Sequence, residues 1–184
     1  ATILADHIIY TLSSIDKSIH LPQRGSSQCS FELDFGDQHF FETLEPGIAA
    51  NKHSHGLHGK SLWVRSHLHP SVEGVEKLFP LQVDSFSFRK NSGGEGLRKG
   101  GRGILKSFTV HKKCHFKWAI IEPEEKDFDS QGGKEGLKAE VYIVNNNGEK
   151  IPLPNVGSRD LQNGDHIVMQ SSGGSGFGKV SEEL

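Results

Sequence analysis

The chain has 184 residues, with 21 Lys and Arg against 23 Asp and Glu and a net charge of -2 when histidine is neutral. That length suits one domain, or one domain with an arm, and the near-neutral balance argues against a nucleic-acid coat or an acidic tail. No apolar run approaches the roughly 20 residues of a membrane span, no signal-peptide pattern opens the chain, and Cys29 and Cys114 are too few and too far apart for a disulfide framework or a cysteine zinc site. The expectation is a cytoplasmic protein with free thiols. Its 22 glycines and 11 histidines are clustered rather than spread.

Leu4, Ile8, Leu12, Ile15 and Ile19 fall on one face of a 3.6-residue period, which predicts a helix within residues 1–21, capped by Thr2 and ended by Leu21-Pro22. Residues 22–184 read as a β-rich body. Strands are predicted at Cys29–Phe35, His39–Thr43, Leu81–Phe88, Ile104–Val110, Phe116–Ile121, Ala139–Val144 and Asp165–Met169, each bounded by Gly, Pro, Asp or Asn. Leu81 and Val83 lie on one parity and Phe86 and Phe88 on the other, so a bulge is expected at Asp84-Ser85. A second helix is predicted with Pro70 in its first turn, a stripe of Val72, Val75, Leu78 and Phe79, and Pro80 as its stop. The fold class is α+β and β-rich, with mostly antiparallel or mixed β segments, in a single domain over 1–184. No fixed-period repeat supports a solenoid or propeller.

Charge is blocked. Arg89–Lys117 holds nine Lys/Arg and one acid, Glu95, while Glu122–Asp129 holds five acids and one Lys. Either this is an ordinary basic edge beside an acidic loop, or a basic stripe faces an anion or a partner subunit.

Gly56-Leu57-His58-Gly59-Lys60-Ser61 superficially resembles a phosphate loop, but Ser54 stands where the first Walker glycine is needed and Leu62-Trp63-Val64 reads as extended. Ser92, Gly93, Gly94 and Gly96, then Gly100, Gly101 and Gly103, form a denser block. Glycine permits positive φ, and amides in such turns form anion nests, so at least two of Gly93, Gly94, Gly100, Gly101 and Gly103 are expected at φ above zero. The competing reading is a tight crossing of two β segments. A strand-like run follows, which excludes a Rossmann turn. His53/His55 and His67/His69 are His-x-His pairs whose members share a face in an extended chain. No acid or cysteine at close spacing completes a ligand set, so His67 and His69 are weak metal candidates and no tightly bound metal is expected in this chain.

The order of segments Gln23–Gly36, Phe40-Phe41-Glu42-Thr43, a Gly/His loop, Leu78-Phe79-Pro80, Ser92–Gly103, Gly164-Asp165 and Gly173-Gly174-Ser175-Gly176-Phe177-Gly178 resembles the C-terminal part of the hydantoinase B/5-oxoprolinase family. Members carry Y-Y-E-T, a short acidic helix ending in R-Y-P, S-G-G-x-G-x-x-R-G-G-x-G and a terminal G-D…G-G-G-G-Y-G. The resemblance spans nearly the whole chain. It implies an ATP-dependent complex in which an actin-like, ATP-binding hydantoinase A-type subunit phosphorylates a carbonyl or enol oxygen. A B-type component then assists ring opening of a cyclic amide or, in ketone carboxylases, C–C bond formation.

The family's V-H-S-H-M-T-N-T-R is eroded: Val64-Arg65-Ser66-His67-Leu68 lies on V-H-S-H-M with a short deletion and no T-N-T-R, or an ungapped fit puts Ser66 and Leu68 on the Asn and Arg; of its P-x-G-x-x-G-G only Gly132-Gly133 survives. On this resemblance the candidate catalytic residues are His67, Ser66 and Glu42. The metal-binding half would lie N-terminal to Ala1, so no cofactor belongs to this chain, and ATP with Mg and a divalent metal belong to partner subunits. The expected role is a small subunit of a multi-subunit ketone carboxylase, of the acetone or acetophenone type, beside a larger B-type subunit. A subunit of a cyclic amide hydrolase and a purely structural subunit are the alternatives. Neither nucleic acid nor membrane is an expected partner. The aromatic β segments holding Phe31, Phe35, Phe40 and Phe41 are expected to form a large apolar surface covered by another subunit.

Overall fold

The structure is a computed structural model that describes Ile8, Thr11, Leu12, Ile15 and residues 27–60, 68–122, 130–145 and 147–179. Among the described residues, nine strands form two antiparallel sheets packed face to face. The first sheet has the order β2-β1-β5-β8 and the second β3-β4-β9-β6-β7. The strands are β1 (Gln28–Asp34), β2 (His39–Leu44), β3 (Leu81–Phe88), β4 (Ile104–Val110), β5 (Cys114–Ile121), β6 (Glu140–Val144), β7 (Lys150–Pro152), β8 (Val156–Leu161) and β9 (His166–Gln170). The α+β, β-rich expectation holds.

Alternation dictates which faces meet. Cys29, Phe31 and Leu33 of β1, Phe116 and Trp118 of β5, Ile104, Phe108 and Val110 of β4, and Ile167 and Met169 of β9 are all buried. Phe108 reaches across the sandwich, with ring centroids 5.5 Å from Phe31 and 5.9 Å from Phe40. Such aromatic contacts contribute beyond their buried area. Phe31, Phe35 and Phe40 therefore fill this chain's own core; of the four aromatics assigned to a partner surface, only Phe41 is exposed. The expected bulge is present, as a register shift between Val83 and Ser85.

The internal helix, α1 (Val72–Leu78), starts one step later than expected. Ser71 is its N-cap, its side chain accepting from Gly74 N, so Pro70 precedes the cap rather than occupying the first turn. Val75 is buried and Leu78 exposed, while Phe79 packs on Phe40 at 5.0 Å. Ile8, Thr11, Leu12 and Ile15 are helical, and the three apolar residues among them are exposed. Thr2, Leu21 and Pro22 lie outside the described residues. No helix among the described residues is long and apolar enough to cross a membrane.

Strands β7 and β8 carry no alternating apolar signal. The second is held by an edge contact instead: Gly157 sits where a Cβ would lie 2.5 Å from the Trp118 indole, and Trp118 Nε1 donates to Pro154 O at 2.7 Å. The basic block is dispersed rather than gathered into a stripe. Lys106 points into the core, Arg89 pairs with Glu140, and Lys112 pairs with Asp37. The acidic run 123–129 lies outside the described residues.

The glycine block differs from the expected conformation. None of Gly93, Gly94, Gly100, Gly101 and Gly103 is at positive φ. Glycine is required there because backbones touch. A Cβ on Gly101 would stand 1.9 Å from Leu57 O, and one on Gly100 2.0 Å from Gly174 O. Extended stretches near residues 46–51, 55–59, 92–103, 132–138 and 171–178 are laced by amide bonds, including Gly101 N to Ile48 O, Gly174 N to Gly101 O and Gly94 N to Gly174 O, each 2.8–2.9 Å. The crossing-segment reading is the observed one.

We expect Gly101→Ala and Gly174→Ala each to destabilise the fold by about 1–3 kcal/mol or more, because the intruding methyl meets backbone that cannot rotate away. Urea unfolding read by circular dichroism checks this; wild-type midpoints would refute it.

Candidate functional site

The two sheets bring their inward faces together around a buried acid, Glu42. In β2, Glu42 pairs in register with Phe31, and its neighbours two residues away, Phe40 and Leu44, are buried. Position 42 therefore points into the sandwich. In β4, Lys106 falls on the same parity as Ile104 and Phe108 and is fully buried. An acid from one sheet thus faces a base from the other.

Lys106 Nζ donates to both Glu42 oxygens, at 2.7 and 2.8 Å. His69 Nδ1 lies 2.7 Å from Glu42 Oε1. Phe86, the β3 residue paired with Lys106, covers this group; its ring is 5.0 Å from the imidazole and 4.7 Å from Lys106 Nζ. The ammonium over the ring face gains a cation–π attraction that replaces lost hydration. Both β2 and β3 are edge strands, so the cluster occupies the open side of the sandwich, not its centre.

The hydrogen-bond inventory fixes the imidazole. A carboxylate holding an ammonium has only acceptor sites to offer, so His69 Nδ1 carries the proton. In the neutral ring Nε2 is then the lone-pair nitrogen, and it is buried with no partner among the described residues. Glu45, just past the end of β2, is also buried and its Oε1 has no partner among the described residues.

Of the expected catalytic residues, Glu42 is at this centre, whereas His67 and Ser66 lie outside the described residues. His69, expected only as a weak metal ligand, is joined to Glu42. Lys106 was not anticipated; a lysine alternating with Ile104 and Phe108 in a strand was the signal available.

Two histidines of the Gly/His loop make structural bonds. The amides of Lys99 and Arg102 donate to His55 Nδ1 and His58 Nδ1, both at 2.9 Å, pinning the His-rich loop to the glycine block. Burial, then the Arg102 charge, hold His58 below its ordinary pKa, in keeping with an accepting neutral ring. No group of three or more His, Cys, Asp or Glu suited to a metal ion occurs among the described residues.

The glycine block also spends its amides internally. Gly94, Gly100 and Gly101 donate to backbone carbonyls, and Gly103 donates to Ser92 Oγ at 2.9 Å. Ser92 Oγ in turn donates to Arg89 O at 2.9 Å. Those four amides are not available to an anion.

The glycine order and the Phe40-Phe41-Glu42-Thr43 segment find their counterpart in one family, described as hydantoinase B/oxoprolinase, whose match runs over residues 7–180. The chain belongs to the hydantoinase B/oxoprolinase family. It is 30% identical over 159 residues to a 5-oxoprolinase of Dictyostelium discoideum and 27% identical over 155 residues to 5-oxoprolinase 1 of Arabidopsis thaliana. These alignments cover 84% and 83% of the chain but only 12% of each relative's length.

Among solved structures, an ATP-dependent caprolactamase from Pseudomonas jessenii superposes with a TM-score of 0.66 at 15% identity, over 92% of this chain and 32% of that one. A nucleotide-free acetone carboxylase gives 0.58 at 16% identity, over 92% and 28%. These two likenesses are of fold. In both, this fold is part of a much longer chain.

Two predictions follow from burial. Lys106→Met should cost about 3–5 kcal/mol, since it strands a buried carboxylate, whereas Glu42→Leu/Lys106→Met should recover most of that loss; a double-mutant cycle in urea measures both, and additive losses would refute the coupling. Burial pushes the Cys29 thiol up to about 12, helped by Glu122, and burial with three nearby aspartates does the same for Cys114. With roughly a thousandfold less thiolate than an ordinary cysteine, both should resist iodoacetamide at pH 8 until the fold is denatured, as read by peptide mass spectrometry.

Proposed function

We propose that this chain supplies the C-terminal part of an ATP-dependent enzyme that opens a cyclic amide of the 5-oxoproline type. The observation carrying this reading is likeness in sequence, at 30% over 84% of the chain, to a 5-oxoprolinase. The acetone carboxylase likeness is one of fold alone, so ketone carboxylation takes second place.

The chemistry explains why such an enzyme needs several parts. An unstrained amide resists water, and phosphorylating its oxygen makes the carbonyl carbon electrophilic and that oxygen a better leaving group. An enclosed site then protects the activated species from bulk water. An actin-like, ATP-binding A-type subunit would supply the phosphoryl group, and a larger B-type portion would complete the site. ATP with Mg and a divalent metal would sit in those partner parts; in support, Gly94, Gly100, Gly101 and Gly103 have committed their amides to groups within this chain. Within this chain, the role falls to the Glu42–His69–Lys106 cluster, which can orient an imidazole and hold a proton.

The assembled enzyme containing this chain should hydrolyse ATP in response to 5-oxoproline, releasing glutamate, and should not respond to acetone with bicarbonate. ATP turnover assayed with each substrate decides between the readings. Response to the ketone alone would select carboxylation. Full turnover with Glu42, Lys106 and His69 all replaced, in a folded assembly, would select a purely structural role.

A further inference from the structure

His69 is built as half of an acid-oriented base. Its Nδ1 is fixed at 2.7 Å by a carboxylate, that carboxylate is held on both oxygens by a buried ammonium, and Phe86 blocks one side of the ring. The arrangement leaves Nε2 of the neutral ring as a buried lone-pair acceptor without a partner among the described residues. A buried polar atom left unpaired costs about 1–3 kcal/mol. Elsewhere in this molecule exposed His55 and His58 spend Nδ1 on backbone amides, so the loop supplies such donors where histidine serves structure. At His69 none of the described residues does.

We propose that His69 Nε2 is the proton acceptor for the water that attacks the activated amide carbon, with Glu42 and Lys106 as positioning residues. In the step, the water oxygen forms a bond to the amide carbon while its proton passes to Nε2. The resulting imidazolium is stabilised by the Glu42 carboxylate at Nδ1. When the C–N bond breaks, the same proton passes from Nε2 to the departing nitrogen, restoring the neutral ring; the new C–OH gives its proton to the released amine and becomes the carbonyl of an acyl phosphate, from which a second water releases phosphate and leaves the carboxylate. Orientation by an ionised acid through Nδ1 is the geometry that makes imidazole an effective base at its far nitrogen. This step rests on the cyclic-amide reading above; the orientation of the ring does not.

The test therefore has two arms. In the assembled enzyme, His69→Asn keeps an amide N–H for Glu42 and removes the Nε2 base, while His69→Ala leaves room for free imidazole. We expect both to lose 5-oxoproline-dependent turnover by roughly 10²–10⁴-fold, with unfolding midpoints near wild type for His69→Asn, and partial restoration of His69→Ala by added imidazole. Wild-type turnover in His69→Asn, or a loss in His69→Ala that imidazole leaves untouched, overturns the proposal.

The second arm needs no substrate. ¹⁵N NMR of histidine-labelled enzyme should show His69 neutral with the proton on Nδ1, and Glu42→Leu/Lys106→Met should shift it toward the Nε2–H form. An Nε2–H ring in the wild type overturns the assignment. An Nδ1–H ring in an enzyme that never opens 5-oxoproline refutes the ring-opening step and the cyclic-amide reading, and leaves the ring's orientation standing.

Discussion

Backbone meeting backbone without an intervening Cβ is the constraint on which this architecture depends. The ends of β2, β3 and β9 and the starts of β4 and β6 all run into extended stretches where glycines from different segments touch. Packing two such stretches at hydrogen-bonding distance leaves no room for a methyl, and Gly47, Gly56, Gly173 and Gly174 obey the same rule as Gly100 and Gly101. Polar side chains tie the junction. Arg89 reaches Glu140 at 2.9 Å, Ser171 Oγ accepts from Ile104 N and donates to Glu45 O, both at 2.7 Å, and Ser92 bridges Arg89 and Gly103. These bonds satisfy buried groups in a region with neither helix nor ladder to do so.

That junction fixes the candidate site. The carbonyl of Glu45, one residue beyond β2, is bound by Ser171 at the end of β9. The same serine receives the amide of Ile104, which opens β4. The strand carrying Glu42 and the strand carrying Lys106 are thus held by one hydroxyl, two residues from Lys106 and three from Glu42. A buried ion pair is an expensive way to fill a core, since apolar residues of similar volume often do as well or better. Its presence between Phe31, Phe108 and Phe86 argues for a use in placing the His69 ring.

The expectation of positive φ in the glycine block failed for an instructive reason. Glycine has two uses, conformational freedom and close approach, and one sequence serves either. Gly36 and Gly164, in turns, have φ of 92° and 93°, while the clustered glycines stay in ordinary regions and serve approach. The aromatic segments divide in a similar way, with Phe41 exposed. Phe31, Phe35 and Phe40 look alike in sequence to an interface stripe, but the second sheet of the same chain covers them.

Sequence alone determined most of the sheet content, because alternation in β1, β3, β4 and β5 is a local consequence of the pleat, and the ordered glycine segments carried the family. It placed Glu42 in a family motif but could not connect it to anything. Strands β7 and β8 were not legible, since an edge strand such as Val156–Leu161, exposed along most of its length, owes its place to a partner and not to its own pattern. The meeting of Glu42 with His69, 27 residues away, and with Lys106, 64 residues away, was decided by the tertiary structure. Register across two different sheets sets which inward positions face each other, and no periodicity along the chain encodes that distance.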